Sequence, residues 1–286
     1  MPLYQTLVCA IDFSDHSRYA LELSAQIAKR CHARLVAFHA IEPLLAEAHN
    51  PRQLTDDAAK ELKTFVAAAS RAGSAAPAPV ETVVQIGDPD DAILACARER
   101  KADLVVMGSQ GLGGFQKVFF GSVTEKVLRG AFVPVLAVKP IGSVPASMPI
   151  GIVAAVHLDE TANAVLKHAA AFAAEFQIPL TVMHVVATVQ SLPQYSDALA
   201  AAQADRVERA KARLQEEIAK LRQASPPPVE VRTGTVADEI AEMVKTRPGT
   251  LLAIGTGGNR MLRRPGSTAY RVLSVTSAPV LAVPTS

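Results

Sequence analysis

Two hydrophobic patterns, one typical of strands and one typical of helices, follow each other along the first half of the chain. Short, almost wholly apolar runs are typical of buried strands, and they are separated by longer segments whose apolar residues recur at helical spacing. We predict strands over Gln5–Ile11, Leu35–Ala40, Val80–Ile86, Asp103–Met107 and Val133–Val138. We predict helices after Asp15, over Gln53–Arg71, from Pro89 to about Arg100, and over Ser122–Arg129.

Polar residues at the predicted helix starts support these helices. Asp15 can cap the first helix, whose apolar face continues at helical spacing as far as Cys31. Asp88-Pro89 offers an N-cap followed by proline at the first helical position, where the missing N–H carries no penalty. The strands and helices therefore alternate regularly.

The second half shows the same alternation, with strands predicted near 150–156, 179–186, 229–233, 250–254 and 279–283. Continuous apolar strands separated by helices indicate a parallel sheet covered on both faces. A long helix near Gln203–Gln223 has an apolar side that we predict to pack on the sheet, a coiled-coil seam being the alternative. The predicted fold class is α/β, with two tandem open-sheet domains of five parallel strands each.

The two halves are copies of one unit. The string PVLAV occurs at 134–138 and again at 279–283, an offset of 145. Around the fourth strand the offset is 147, so the second copy lacks two residues after Gly258. The stretch 139–149 is rich in Pro, Gly and Ser and is predicted to link the copies. We predict domains over 1–142 and 143–286.

Composition narrows the function classes. The chain has 286 residues, 49% of them hydrophobic, and a net charge of +2, which argues against nucleic-acid binding. No apolar run approaches the ~18 residues that a membrane span requires. The segment Met1–Thr6 has no basic region typical of a secretory signal. Three cysteines without a CxxC pair favour the reducing cytoplasm.

A glycine-rich segment directly follows the fourth strand. Gly108, Gly111 and the pair Gly121-Ser122 bracket a loop that leads into a helix. Glycines let backbone N–H groups approach an anion, and a helix start supplies unpaired donors. Ligands of open α/β sheets lie beyond the carboxyl ends of strands, so with strands one and four as neighbours Asp12 would face Gly108.

Structural alternatives exist for each of these residues. Ser122 and Glu125 have the spacing of a capping box that would simply stabilise their helix. Asp12 could be only a turn residue. Lys117 could touch phosphate, but a solvated loop charge is the simpler interpretation.

The spacing Gly108-x2-Gly111-x9-Gly121-Ser122 resembles the ATP-binding signature of the universal stress protein family, G-x2-G-x9-G-[ST]. The string Ala10-Ile-Asp-Phe-Ser14 also resembles that family, and the resemblance covers nearly the whole chain. It implies a Rossmann-like fold, of the type called adenine nucleotide alpha hydrolase-like. It also implies ATP, ADP or AMP as ligand, with Mg²⁺ or Mn²⁺ carried by the phosphates and not by a protein cage.

The resemblance also implies a set of site residues. Asp12 would bind the adenine or ribose edge, and Ala40 would line the adenine pocket. The full set implied is Ala10, Ile11, Asp12, Ser14, Ala40, Met107, Gly108, Ser109, Gly111, Gly121, Ser122, Val123 and Thr124. Met107 and Gly108 would pack on the ribose. Residues from Ser109 onward would hold the phosphates.

The second copy departs from this pattern. His157 replaces Asp12, although Asp159 follows two residues later, and the loop is two residues short. Arg260, Arg263 and Arg264 occupy the shortened loop and could hold another anion or a partner, a solvated loop being the simpler interpretation. We therefore predict one nucleotide per chain, bound in the first half.

His39 and His184 lie at equivalent strand ends, and we predict a structural role for both. The two fifth strands are all-apolar and would be exposed edges unless they pair with each other. We therefore predict an internal pseudo-dimer, and whole chains could associate further into a homodimer.

Three functions remain open. The first is a nucleotide-binding stress or signalling protein, with an unknown protein partner, whose nucleotide controls conformation or partner choice. The second is a slow ATPase, and the third is a scaffold that holds no nucleotide. We predict the first, and no enzyme, because no P-loop, HExxH or GxSxG motif occurs.

Overall fold

The computed structural model describes residues 2–71, 80–109, 121–139, 146–188, 196–223, 225–257, 267–276 and 278–284. The chain divides into two compact units. The first comprises Met1–Met148 together with Pro279–Ala282, and the second comprises Pro149–Ala278 together with Val283–Ser286.

The first unit alternates strands and helices as its hydrophobic pattern predicts. Its elements are β1 (Thr6–Ala10), α1 (Asp15–Cys31), β2 (Arg34–Ile41), α2 (Pro43–Ala48), α3 (Pro51–Arg71), β3 (Glu81–Ile86), α4 (Pro89–Glu99), β4 (Leu104–Gly108), α5 (Ser122–Gly130) and β5 (Val135–Val138). The strands lie in the order β3-β2-β1-β4-β5. All four neighbouring pairs are parallel. The short helix α2 was not predicted.

The second unit repeats the arrangement. Its elements are β6 (Gly151–Ala155), α6 (Ala162–Phe176), β7 (Leu180–Ala187), α7 (Ser196–Ala219), β8 (Val229–Gly234), α8 (Val236–Lys245), β9 (Thr250–Gly255) and α9 (Ser267–Val275), and the last strand of the chain is β10 (Val280–Val283). The order β9-β6-β7-β8 is parallel throughout. The α/β fold class and its duplication are therefore confirmed.

The two fifth strands pair with each other. Residues 280–282 of β10 run antiparallel to β5, with Leu281 opposite Leu136. All residues of both strands are buried. The pairing expected from two all-apolar strands is therefore confirmed, and it removes a hydrophobic edge that would promote aggregation.

The long helix of the second unit packs as predicted. Leu214 and Ile218 of α7 are buried, and the helix contacts β7 and β8. This confirms one face on the sheet, although α7 begins and ends earlier than predicted. No helix in the described part of the chain is long and apolar enough to cross a membrane.

The three cysteines are free and buried. Burial raises the pKa of the Cys9 thiol to about 12 and that of Cys96 to about 11. Since the thiolate is the reactive form, these side chains act as small apolar core residues.

Candidate functional site

The carboxyl ends of β1 and β4 lie side by side. Ala10 pairs with Met107 in parallel register, which confirms the predicted adjacency of strands one and four. Asp12 follows the end of β1 by two residues, and Gly108 is the last residue of β4. The strand order thus brings together two parts of the chain that are nearly one hundred residues apart.

The carboxylate of Asp12 is held by the residue that caps the next helix. Its Oδ1 accepts hydrogen bonds from Ser14 N (3.1 Å) and Ser14 Oγ (2.6 Å). Ser14 Oγ in turn accepts from Ser17 N (3.1 Å), so Ser14 is the N-cap of α1. The prediction that Asp15 caps this helix was wrong, because the extended backbone lies at Ser14 and the helix begins at Asp15.

Gly108 is pressed against the first turn of α1. A Cβ at this position would lie 2.7 Å from His16 Cβ and 3.0 Å from the His16 carbonyl carbon. The backbone oxygen of Gly108 accepts a hydrogen bond from Thr124 Oγ1 (3.1 Å). Only glycine lets β4 come this close to a helix start, which is the reason for glycine at this strand end.

Both ends of the glycine loop are fixed by the backbone. Ser109 N donates to Val138 O (2.8 Å), and Gly121 N donates to Ser109 O (3.0 Å). The two ends of the loop therefore meet beside β5. Gly111 and Lys117, named above, lie outside the described residues.

The helix after the loop begins one residue earlier than a capping box at Ser122 requires. Gly121 is the N-cap, with extended backbone (φ −67°, ψ 142°), and Ser122 is the first helical residue and is exposed. The proposed capping box is therefore wrong. The backbone N–H groups of Ser122, Val123 and Thr124 lie in the first turn, where no intrahelical acceptor exists. Such a turn attracts anions.

The hydroxyl of Ser109 is buried without a partner. Ser109 is 1% exposed, and its Oγ makes no hydrogen bond among the described residues. A buried, unpaired hydroxyl carries a desolvation cost that a ligand could offset. It lies at the mouth of the glycine loop, where the resemblance places phosphates.

The remaining predicted residues are distributed over the same edge of the sheet. Ile11 is buried, and its carbonyl oxygen is hydrogen-bonded to His39 Nδ1 (2.8 Å). The equivalent bond joins His184 Nδ1 to Val156 O (2.9 Å), which confirms a structural role for both histidines. Ala40 is half-buried on β2, opposite Gln85 of β3, two residues beyond the Phe38 that pairs with Ala10 of β1.

Sequence reasoning missed His16 and Lys139 at this edge. Burial lowers the pKa of His16, the carboxylates of Asp12 and Asp15 raise it, and the ammonium of Lys139 lowers it. Burial also lowers the pKa of Lys139. The signal available in the sequence was a lysine immediately after the fifth strand.

Phe13 was also missed. It has a left-handed backbone (φ 65°), which is uncommon for an aromatic residue and favours a functional or packing constraint. Its ring packs on His39 at 4.5 Å between centroids and edge-on against Phe65 of α3 at 5.6 Å. Phe13 therefore ties the Asp12 turn to α3.

The second unit presents different chemistry at the equivalent edge. His157 takes the place of Asp12, and its Nδ1 lies 3.0 Å from Asp159 Oδ2. Asp159 Oδ1 accepts from Thr161 N (2.9 Å) and from the Thr161 hydroxyl. Burial raises the pKa of Asp159, but the hydrogen bonds from Thr161 and His157 outweigh this and lower it.

Among the described residues, no group of three or more His, Cys, Asp or Glu side chains could hold a metal ion.

Each unit is an open, parallel α/β sheet, and the first has a glycine loop at its carboxyl edge, an arrangement typical of domains that bind nucleotides. The family model for universal stress proteins matches residues 3–139 and again residues 151–284. The chain therefore belongs to the universal stress protein family, a family of the stress response.

Two relatives each match about half of the chain. A universal stress protein of Thermus aquaticus is 36% identical over 140 residues, which is 48% of this chain and 100% of that protein. One of Mycobacterium tuberculosis (strain ATCC 25618 / H37Rv) is 36% identical over 144 residues, covering 48% of this chain and 98% of its own.

A solved structure matches the whole chain. A universal stress protein from Archaeoglobus fulgidus DSM 4304 aligns with a TM-score of 0.69 and 20% identity, covering 98% of each chain. At this identity the match shows the fold alone.

Proposed function

We propose that the first unit binds one adenine nucleotide, ATP, ADP or AMP, and that the bound nucleotide controls conformation or partner choice in the stress response. One observation carries the proposal. The turn at Asp12, the buried Ser109 hydroxyl and the first turn of α5 all follow the carboxyl ends of the neighbouring strands β1 and β4.

The residues of this edge suit the parts of a nucleotide. Asp12 supplies acceptors for ribose hydroxyls or the adenine edge, with Ala10 and Ile11 beside it and Ala40 further along the sheet. Met107 and Gly108 face the ribose. The N–H groups of Ser122, Val123 and Thr124 receive phosphate, because helix starts favour anions. The Thr124 hydroxyl donates to Gly108 O, so its backbone N–H is the group available to the ligand.

Mg²⁺ or Mn²⁺ enters with the phosphates in this proposal. Divalent cations of this kind are bound through substrate phosphates and few protein ligands. The cation would neutralise charge on the phosphates, while the protein residues position the nucleotide.

We propose binding and not hydrolysis as the role of the site. Rapid phosphoryl transfer requires a group that orients water and cationic groups that stabilise the developing charge. Asp12 Oδ1 accepts two hydrogen bonds from Ser14 in the turn that precedes α1, so we assign Asp12 to positioning the nucleotide and not to proton transfer. A cytoplasmic location is part of this proposal, supported by three free, buried cysteines.

Calorimetric titration of the full chain with ATP tests the proposal, together with mass spectrometry of nucleotide that co-purifies with the protein. We expect one site per chain. Asp12→Ala should weaken binding at least tenfold, since about 1.4 kcal/mol is lost with one charge-assisted hydrogen bond. His157→Ala is the matched control in the second unit and should leave affinity unchanged.

The proposal would be overturned by two equivalent sites per chain, by the absence of detectable nucleotide binding in the titration, or by an Asp12→Ala variant that binds ATP as tightly as the wild type. Phosphate release in a single-turnover assay that Gly121→Ala abolishes would instead favour the slow ATPase.

A further inference from the structure

The end of β5 lies against the start of the glycine loop. Val138 pairs with Gly108 in the sheet, and its carbonyl oxygen accepts the hydrogen bond from Ser109 N (2.8 Å). Lys139 is the next residue after Val138. The backbone therefore places Lys139 beside the two residues that open the loop.

Charge and burial agree with this placement. Lys139 is half-buried, and its positive charge lowers the pKa of His16, whose Cβ and backbone pack against Gly108. A partly desolvated ammonium gains more from an anion than an exposed one, because the effective dielectric constant is lower. The neighbouring Ser109 hydroxyl is buried and makes no hydrogen bond among the described residues.

We infer that Lys139 completes the phosphate subsite that Ser109 and the glycine loop begin, and that it makes the first unit discriminate phosphorylated ligands from nucleosides. This inference rests on the proposed function. The hydroxyl can donate to a phosphate oxygen, and the ammonium is a compact cation suited to phosphate.

The second unit lacks both features. Thr256 occupies the position of Ser109, and its hydroxyl donates to Val283 O (3.4 Å). Pro284 occupies the position of Lys139 and carries neither charge nor N–H. The subsite is therefore a property of the first unit.

A ligand series tests the role of Lys139 in the full chain. Calorimetry would compare ATP, ADP, AMP and adenosine for the wild type, Lys139→Met and Lys139→Arg. We expect Lys139→Met to lose at least about tenfold in ATP affinity, the loss for one charge-assisted contact, and less than twofold for adenosine. Lys139→Arg should recover most of the loss. The control is Lys126→Met on α5, because Lys126 pairs with Asp90 at 3.1 Å and should not affect binding.

Ser109→Ala provides a second readout. If the hydroxyl serves only a ligand, its removal should leave the unfolding midpoint of the free protein equal or higher, while ATP affinity falls and adenosine affinity does not. A lower midpoint with unchanged ATP affinity would assign Ser109 a structural role and overturn the inference.

The outcomes separate the two proposals. If the wild type binds no adenine nucleotide, the proposed function fails and the subsite fails with it. If the wild type binds ATP but the Lys139→Met variant binds each of the four ligands as tightly as the wild type does, only the subsite is wrong. The same holds if the variant loses affinity for adenosine as strongly as for ATP.

Discussion

The carboxyl edges of the two units make the same backbone hydrogen bond but differ in their polar side chains. Ser109 N donates to Val138 O at 2.8 Å, and Thr256 N donates to Val283 O at 3.0 Å. The Ser109 hydroxyl is unpaired among the described residues, whereas that of Thr256 is paired within its own unit. Both units therefore keep the same backbone hydrogen bond at this strand end, and of these two hydroxyls it is that of Ser109 that has no partner among the described residues.

The turn after the first strand of each unit shows a second difference. Asp12 and Asp159 each accept from the N–H and hydroxyl of the residue two positions later. Asp12 lies two residues beyond its strand, and Asp159 lies four beyond Ala155. The same turn therefore places its carboxylate at a different distance from the strand end in each unit. The hydrogen bonds that stabilise the turn are present in both units, so they do not by themselves indicate a ligand site.

Replacing Gly108 should have the largest effect. In Gly108→Ala, the new Cβ would meet backbone as well as side-chain atoms of His16, so a change of rotamer cannot relieve the contact. We expect the free energy of unfolding to fall by about 1–3 kcal/mol and nucleotide binding to be lost. Chemical denaturation and calorimetry would measure both effects.

The matched variant Gly255→Ala in the second unit should leave nucleotide binding unchanged. Equal binding by the Gly108→Ala variant and the wild type would contradict the geometry of the first site.

Thr124→Ala imposes on the first unit the residue that the second has at Ala269. The change removes the buried hydrogen bond from Thr124 Oγ1 to Gly108 O. We expect a loss of about 1 kcal/mol in the free energy of unfolding, the net contribution of one such bond. Urea denaturation of the full chain would measure it. Ser122→Ala, at an exposed position of the same helix, is the stability control. An equal loss of stability in that variant would show that the hydrogen bond from Thr124 to Gly108 is not the cause.

Acidification should have the smallest effect, and His184 of the second unit should contribute to it. Burial lowers the pKa of His184 below its ordinary value of 6.5, the hydrogen bond to Val156 opposes this, and the charge of His157 adds to it. Because the unfolded chain binds a proton at His184 more readily, stability should decrease as the pH falls below about 6.5 and change little above it.

Thermal unfolding at pH 7.5 and 5.5 would test this expectation. His184→Gln should lose less stability on acidification than the wild type, whereas His49→Gln, at an exposed position, should behave like the wild type. A larger loss in His184→Gln would show that the sign is wrong.

Much of the fold could be predicted from the sequence. The apolar runs located every strand, and the offsets of 145 and 147 revealed the duplication, because both depend on residues close together in the chain or on direct repetition. Helix starts were less predictable. The N-caps predicted at Asp15 and Ser122 were each one residue too late, since Ser14 and Gly121 are the residues whose backbone is extended. The presence of several polar residues near a helix start does not by itself determine which of them is the N-cap.

By itself the sequence determined the alternation of strands and helices, the two copies, and a glycine loop in the first copy whose spacing the second has lost. Only the tertiary structure decided that Gly108 packs on His16, that the Ser109 hydroxyl is buried and that the end of β5, just before Lys139, pairs with the start of the glycine loop. The physical reason is that periodicity is a local property. Convergence at a sheet edge depends instead on strand order, which joins residues about one hundred positions apart.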